Sequence, residues 1–202
     1  MASRSARGRG NRRSLLTRLG ISLGLIREKA AIIVVGLDNS GKTTLLRRLQ
    51  AGLADAKADV SETAPTIGFG AESFRTGNVE FACFDMAGQE KYRPLWERYY
   101  TEAEGIIFVV DAADRMRMCV ARDELETMLA HPDVVGKPQC PILFFANKVD
   151  LMEAMEPVEV MGELGLELIE KPWHICACSA TTGMGVQSGV EWLAEQIKAA
   201  HK

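Results

Sequence analysis

No apolar run in this 202-residue chain approaches the eighteen or so residues that a helix needs to cross a bilayer. That excludes an ordinary membrane-spanning helix and leaves hydrophobic segments of core-strand length. Cysteine is scarce and odd in number, five residues without a ladder of regular spacings. This excludes the disulfide framework of a small secreted domain and points to a reducing compartment. Cys176 and Cys178 share a face if they lie in a strand, and they suit small apolar filling better than a metal or redox pair. His131 and His174 lack metal-ligand spacing, so neither is assigned a catalytic role. A net positive charge is missing from most of the chain. Residues 1–29 hold seven Arg and one Lys against one Glu, a net of +7, and residues 30–202 carry −10. An acidic body is a poor partner for nucleic acid.

What remains is ordinary for a folded domain: 47% hydrophobic residues and 25% charged ones, enough for one buried core and too little for a second full domain. Residues 1–13, rich in Arg and Gly, have nothing to bury and are expected to be a disordered basic extension. Over residues 14–29, Leu15, Leu16, Leu19, Leu23 and Ile26 fall on one helical face, weakened by Gly20 and Gly24. Such a helix suits a membrane surface or a dock on the body. Residues 30–202 form the folded domain. Apolar, β-branched runs predict strands at residues 31–35, 72–75, 79–84, 105–111, 141–147 and 174–177, and helices fit 42–53, 94–101, 121–130, 157–164 and 185–198. The alternation predicts an α/β fold, a mostly parallel sheet with helices on both faces. Thr76-Gly77-Asn78 joins the second and third strands too tightly for a crossover, so one edge strand is antiparallel.

In such sheets ligands sit beyond the carboxyl ends of the strands, and five motifs fall there. Gly36-Leu37-Asp38-Asn39-Ser40-Gly41-Lys42-Thr43 leaves the first strand and opens a helix whose Leu45, Leu46, Leu49 and Leu53 share a face, the context a phosphate cradle requires. Asp38, Asn39, Ser40, Gly41, Lys42, Thr43 and Thr44 are the expected phosphate contacts. Lys42 reaches the β- and γ-phosphates, and the Thr43 hydroxyl reaches Mg²⁺. In Asp85-Met86-Ala87-Gly88-Gln89, Asp85 is placed to hold Mg²⁺ through water. Gly88 brings an N–H to a γ-phosphate, and Gln89 aligns an attacking water as the catalytic residue. Pro65-Thr66-Ile67-Gly68-Phe69, after the polar loop 55–64, supplies Thr66 as a second hydroxyl for the metal, as a segment ordered by a γ-phosphate would. Asn147-Lys148-Val149-Asp150 selects the base. Guanine offers adjacent N1–H and N2–H donors that the Asp150 carboxylate accepts as a pair, whereas adenine has an acceptor at N1 and leaves the carboxylate without partners. Asn147 braces the loop and the purine, and the Lys148 stem covers the base plane. Ser179-Ala180-Thr181 places main-chain N–H groups where they can meet the guanine O6.

Together GLDNSGKTT, PTIGF, DMAGQ, NKVD and SAT closely resemble the small GTPases of the Arf and Arf-like family over residues 30–198. Asp38 and the PTIGF form distinguish that family from Ras and Rab relatives. The segments FDMAGQEKYRPLWERYY, DRMRMCVARDELETMLAHPD, PILFFANKVDL and KPWHICA are most similar to the branch that recruits the BBSome coat to ciliary membranes. The resemblance implies a P-loop NTPase small G-domain with a six-stranded sheet, and slow hydrolysis of bound GTP to GDP with Mg²⁺. It also implies a monomer served by an exchange factor, a GTPase-activating protein and a BBSome-like effector coat. The expected site is cytoplasmic, peripheral to membrane through residues 14–29, at the base of a cilium or flagellum. Phe69, Phe84 and Tyr99 match the family's effector-facing aromatics, with Phe84 where Arfs proper commonly have tryptophan. Trp96, Trp173 and Trp192 are expected to be packing residues.

Two features depart from the family. Ala2 stands where many members carry the glycine that is myristoylated, and the Arg-rich extension is atypical. A mitochondrial transit peptide is the rival reading of residues 1–27. The rival functions are a catalytically silent GTP-binding adaptor and a metabolic P-loop kinase or ATPase, against which Asp150 argues.

Overall fold

The computed structural model describes residues 28–51 and 66–201. The extension and most of the helix predicted over residues 1–29, together with Leu53, the loop 55–64 and Pro65, lie outside the described residues. Strand β1 runs Glu28–Val35, three residues longer than predicted, and it takes Glu28 and Lys29 from the segment assigned to the amino-terminal helix. The cause is long-range. Glu28 is buried, its N–H donates to Asn78 O at 3.1 Å, and its carboxylate lies 2.7 Å from His201 Nδ1. Local periodicity carries no trace of either partner.

The remaining elements follow the predicted alternation: α1 Lys42–Ala51, β2 Phe69–Thr76, β3 Val79–Met86, α2 Glu97–Tyr100, β4 Gly105–Asp111, α3 Met118–Ala130, α4 Pro132–Val135, β5 Ile142–Asn147, α5 Pro157–Leu164, β6 Trp173–Ala177 and α6 Val186–Ala200. The helix predicted over 94–101 is instead a 3₁₀ segment, Glu90–Leu95, followed by the single turn of α2. Pro94 lies inside that segment and has no N–H to extend an α-helical ladder. Helix α4 has no counterpart among the predicted elements. It is opened by Pro132 and by His131, whose Nδ1 accepts the Asp133 N–H at 3.3 Å. Helix α5 has the predicted bounds because its ends are written locally: Pro157 stands at its start, the Glu156 N–H donates to Glu159 Oε2 at 2.9 Å, and Gly165 ends it at φ +67°.

The sheet has the order β2-β3-β1-β4-β5-β6. All neighbours are parallel except β2 and β3, whose two-residue Gly77-Asn78 turn sets Thr76 opposite Val79. Alternate side chains of the central strands serve two cores. Ile33, Val35, Phe108 and Phe144 pack with Leu125 of α3 and Val160 of α5, and Ile32, Val34, Ile107 and Val109 pack with Leu46 of α1 and Leu193 of α6. With both faces covered, the parallel strands deliver their carboxyl ends to one rim: Val35, Met86, Asp111, Asn147 and Ala177.

Candidate nucleotide-binding site

At the end of β1 the chain turns through Gly36 at φ +137°, Asn39 at +60° and Gly41 at +95° before α1 begins. A Cβ on Gly36 would stand 2.2 Å from Val109 O, and one on Gly41 would stand 2.2 Å from Asn147 Nδ2. Glycine is thus required at both ends of the cradle by backbone conformation and by space. Lys42 folds back over the loop, donating to Gly36 O at 3.0 Å and Leu37 O at 2.6 Å. Burial brings its ammonium down to about 8, against the opposing pull of Asp85 and Asp38. An anion placed in the cradle favours the charged form. Phosphate affinity is therefore expected to be greatest below about pH 8 and to decline as the pH rises above it, with about one proton taken up when ligand is loaded near pH 9. Calorimetry in two buffers of different ionisation enthalpy measures that uptake; proton-neutral loading would contradict the assignment of Lys42.

The predicted metal donors converge. Thr43 Oγ1 donates to Asp85 Oδ2 at 2.7 Å and lies 2.9 Å from Thr66 Oγ1, which is itself 3.3 Å from Asp85 Oδ2. Asp85 is 2% exposed, and its Oδ1 is buried without a hydrogen-bond partner among the described residues. Burial raises the pKa of this carboxyl, and the Thr43 hydrogen bond and the Lys42 charge oppose the rise. A buried carboxylate with one oxygen unmatched lacks compensation. Two hydroxyls and a carboxylate form the hard, oxygen-only set that suits Mg²⁺ bridging to phosphates, so the residues present fit that ion.

Gly88 lies against the cradle, where an added Cβ would meet Asp38 N at 2.4 Å and Gly36 O at 2.6 Å. Gln89 borders an open cleft of about 230 Å³ together with Lys42, Thr43, Thr66, Gly88 and Lys148. Asp38 also faces this cleft, but Arg117 Nη1 lies 3.3 Å from its Oδ1. That pairing moderates the repulsion a free carboxylate would exert on a polyphosphate. Ser40 is buried; its carbonyl accepts from Asn147 Nδ2 at 2.7 Å, and its Oγ has no hydrogen-bond partner among the described residues.

A second cleft, of about 220 Å³, adjoins the first through Gly41, Thr44 and Lys148 and is closed by Asp150, Leu151 and Thr181. Asp150 is exposed at its rim. Lys148, at φ +68°, extends to Asp111 Oδ2 at 2.7 Å, which brings in Asp111, a rim residue that the motifs did not flag. Asn147 joins three loops: beyond Ser40, its Oδ1 accepts the Ala180 N–H at 2.9 Å and the Cys178 thiol at 3.4 Å. Ser179 and Ala180 follow β6 on the same rim: the Ser179 N–H donates to Met184 O at 3.0 Å and the Ala180 N–H to Asn147 Oδ1, so both amides help to hold the loop. Arg48, 3% exposed on α1, binds the other side of this loop, donating from Nε to Ala180 O at 3.2 Å and from Nη2 to Thr181 O. Sequence reasoning missed Arg48, because a partner 132 positions away leaves no local signal. On the outer side of β2 and β3, Phe69 and Phe84 flank Tyr99 with ring centroids 5.2 and 4.6 Å apart. Phe69 is 49% exposed, and Ile67 beside it is 80% exposed.

This geometry can be set beside known proteins. The chain matches the ADP-ribosylation factor family over residues 16–197. It is 48% identical over 186 residues to ADP-ribosylation factor-like protein 6 of Danio rerio, which covers 92% of this chain and 97% of that protein. The Arl6 BBS3 small GTPase of Trypanosoma brucei, solved with the nucleotide analogue GppNp, superposes with a TM-score of 0.76 at 37% identity over 85% of this chain and 98% of that one. Agreement in sequence over nearly the whole chain, and in overall fold, leaves one assignment: the chain belongs to the ADP-ribosylation factor family and is a small GTPase that binds guanine nucleotide and converts GTP to GDP.

Proposed function

We propose that this GTPase is a Mg²⁺-dependent switch in membrane trafficking at the cilium, recruiting a BBSome-like coat to the membrane while GTP is bound. The observation that carries the proposal is the meeting of Thr43, Thr66 and Asp85 within 3.3 Å of one another. It ties a segment just before β2 to the phosphate loop at the point where a metal-bound γ-phosphate belongs. When bound, Mg²⁺ would supply charge neutralisation to the β- and γ-phosphates. Lys42 grips the same phosphates, the Gly88 N–H donates to the γ-phosphate, and Gln89 Oε1 accepts from the attacking water and aligns it. Water adds to the γ-phosphorus, the bond to the bridging β–γ oxygen breaks, and GDP and inorganic phosphate result. The cleft is lined by Lys42 and Lys148 and by no arginine among the described residues. Unaided hydrolysis is therefore slow, on the order of 10⁻⁴ per second, and an activating protein is needed to supply the missing charge.

Losing the γ-phosphate releases Thr66 and, through β2, changes the surface formed by Ile67, Phe69, Phe84 and Tyr99, which is the proposed effector face. Membrane contact is assigned to the apolar face predicted over residues 14–27, aided by basic residues at about 1 kcal/mol for each one close to an anionic surface. Liposome flotation tests the coupling, using full-length protein and a variant lacking residues 1–27, each with GDP or a non-hydrolysable GTP analogue. The truncation ends before Glu28 because that residue belongs to β1. Full-length protein with the analogue is expected to float several-fold more than in the other three conditions. Equal flotation in all four contradicts a switch coupled to membrane.

A further inference from the structure

We propose that Trp96 and Arg93 are positioning residues for GTP hydrolysis, acting together as a clamp on the two peptide groups that flank Gly88. Trp96 is 2% exposed, and its indole Nε1 donates to Ala87 O at 3.1 Å. Arg93 donates from Nε to Gly88 O at 2.9 Å. There are no cis peptides among the described residues, and in a trans peptide the C=O and the following N–H point in opposite directions. Holding the Ala87 carbonyl therefore fixes the direction of the Gly88 N–H. Holding the Gly88 carbonyl fixes the Gln89 N–H and, with it, the start of the Gln89 side chain.

Gly88 needs such support. A residue without a Cβ is the loosest point of any backbone, yet this one has to hold its amide and the next side chain in register with a phosphate. A Cβ there would collide with backbone atoms of the cradle, so the rigidity that a larger side chain would give has to come from the carbonyl side. Neither clamp residue lines the cleft, which is why their role is positioning.

The guanidinium also reaches beyond the switch segment. Arg93 Nη1 donates to Glu124 Oε1 of α3 at 2.7 Å, and Nη2 lies 4.0 Å from Asp38 Oδ1 in the cradle. The Arg93 side chain is 13% exposed, and in that shielded setting a charged hydrogen bond holds its geometry better than one at the surface. Arg93 thus connects α3, the cradle and the Gly88–Gln89 peptide in one network. Trp96, expected from sequence to be packing alone, uses a polar atom that phenylalanine does not have.

The inference rests on the reading that Gly88 meets the γ-phosphate and Gln89 aligns water, so its test includes a control for that reading. Full-length protein and the variants Trp96→Phe, Arg93→Ala, Arg93→Lys and Gln89→Leu are compared with Mg²⁺ present for GDP affinity, affinity for a non-hydrolysable GTP analogue and single-turnover hydrolysis. Trp96→Phe keeps an aromatic ring in the core, removes the donor and leaves a small cavity, whose general effect would lower both nucleotide affinities together. Trp96→Phe and Arg93→Ala are expected to hydrolyse about tenfold more slowly, the effect of one lost buried hydrogen bond, with GDP affinity held within about twofold and the preference for the triphosphate reduced. Arg93→Lys keeps a charged donor and recovers part of the rate. Should Gln89→Leu abolish hydrolysis while Trp96→Phe and Arg93→Ala retain the parental rate, the clamp is overturned and the site reading stands. If GDP and analogue affinity fall together in both clamp variants, their role is structural only and the clamp is again overturned. A Gln89→Leu variant that hydrolyses GTP normally overturns the site reading and the clamp with it.

Discussion

Asp150→Asn is expected to weaken GTP binding by at least about a hundredfold and to raise affinity for XTP. A carboxylate accepts both the N1–H and the N2–H of guanine; an amide accepts one and confronts the other with its own N–H. Xanthine has a carbonyl at C2 in place of the amine, so the amide can accept from N1–H and donate to O2. Sites built on such pairing discriminate by about 10⁴-fold, and a lost charged hydrogen bond alone costs about 1.5–3 kcal/mol. Asp150 is exposed at the rim of its cleft, so the substitution acts on the ligand and not on the core. Competition of GTP and XTP against a fluorescent nucleotide measures the exchange of preference. A GTP loss under tenfold, or no gain for XTP, would remove Asp150 from the role of base selector.

Gly88→Ala is the second large effect, and it arises from space. The added methyl would meet Leu37 C and Asp38 N at 2.4 Å and Gly36 O at 2.6 Å, distances that real Cβ atoms do not show. All three atoms belong to the cradle backbone, so no flexible side chain can yield. The segment after β3 has to retreat from the cradle, taking the proposed γ-phosphate contact and Gln89 with it. GDP does not use that contact. The variant is therefore expected to hold GDP as the parent does, to lose at least about tenfold in affinity for a GTP analogue, and to hydrolyse GTP more slowly still. Equilibrium binding of the two nucleotides distinguishes this from general destabilisation, which lowers both affinities together.

The parts of the molecule legible in the sequence are those whose cause is local. Strand β4 and helix α5 have the predicted bounds: the first is an unbroken apolar run ended by Asp111, the second is marked by Pro157 and Gly165 at its ends. The hairpin of β2 and β3 follows from the Gly77-Asn78 turn. The cradle and the Asn147 loop could be placed from motif spacing because each follows a strand on the same rim. Asp38, Lys42, Thr43, Thr66, Gly88, Gln89 and Lys148 all border one cleft.

What escaped detection depends on partners distant in sequence. Glu28 belongs to the sheet because it meets His201, 173 positions away. Arg48 holds the loop at 180–181 from the buried side, and Lys148 finds Asp111 across the rim. The Ser179-Ala180 segment is legible as a strand-end loop, but the sequence does not say that Met184 and Asn147 accept its Ser179 and Ala180 N–H groups. Pro94 reads locally as a helix start, whereas the chain forms a 3₁₀ segment from Glu90 that carries Arg93 back to Gly88.

The proposed switch depends on Asp85 and the two threonine hydroxyls fastening the segment before β2 to the phosphate loop when Mg²⁺ and a triphosphate are bound. Affinities for GDP and for a non-hydrolysable GTP analogue, measured with Mg²⁺ and with a chelator in the parent and in Thr66→Ala, test it directly. Mg²⁺ is expected to raise the parent's preference for the triphosphate by about tenfold or more, and Thr66→Ala to abolish this increment while leaving GDP affinity unchanged. An increment that survives in Thr66→Ala, or a parent equally indifferent to Mg²⁺ with both nucleotides, would contradict it.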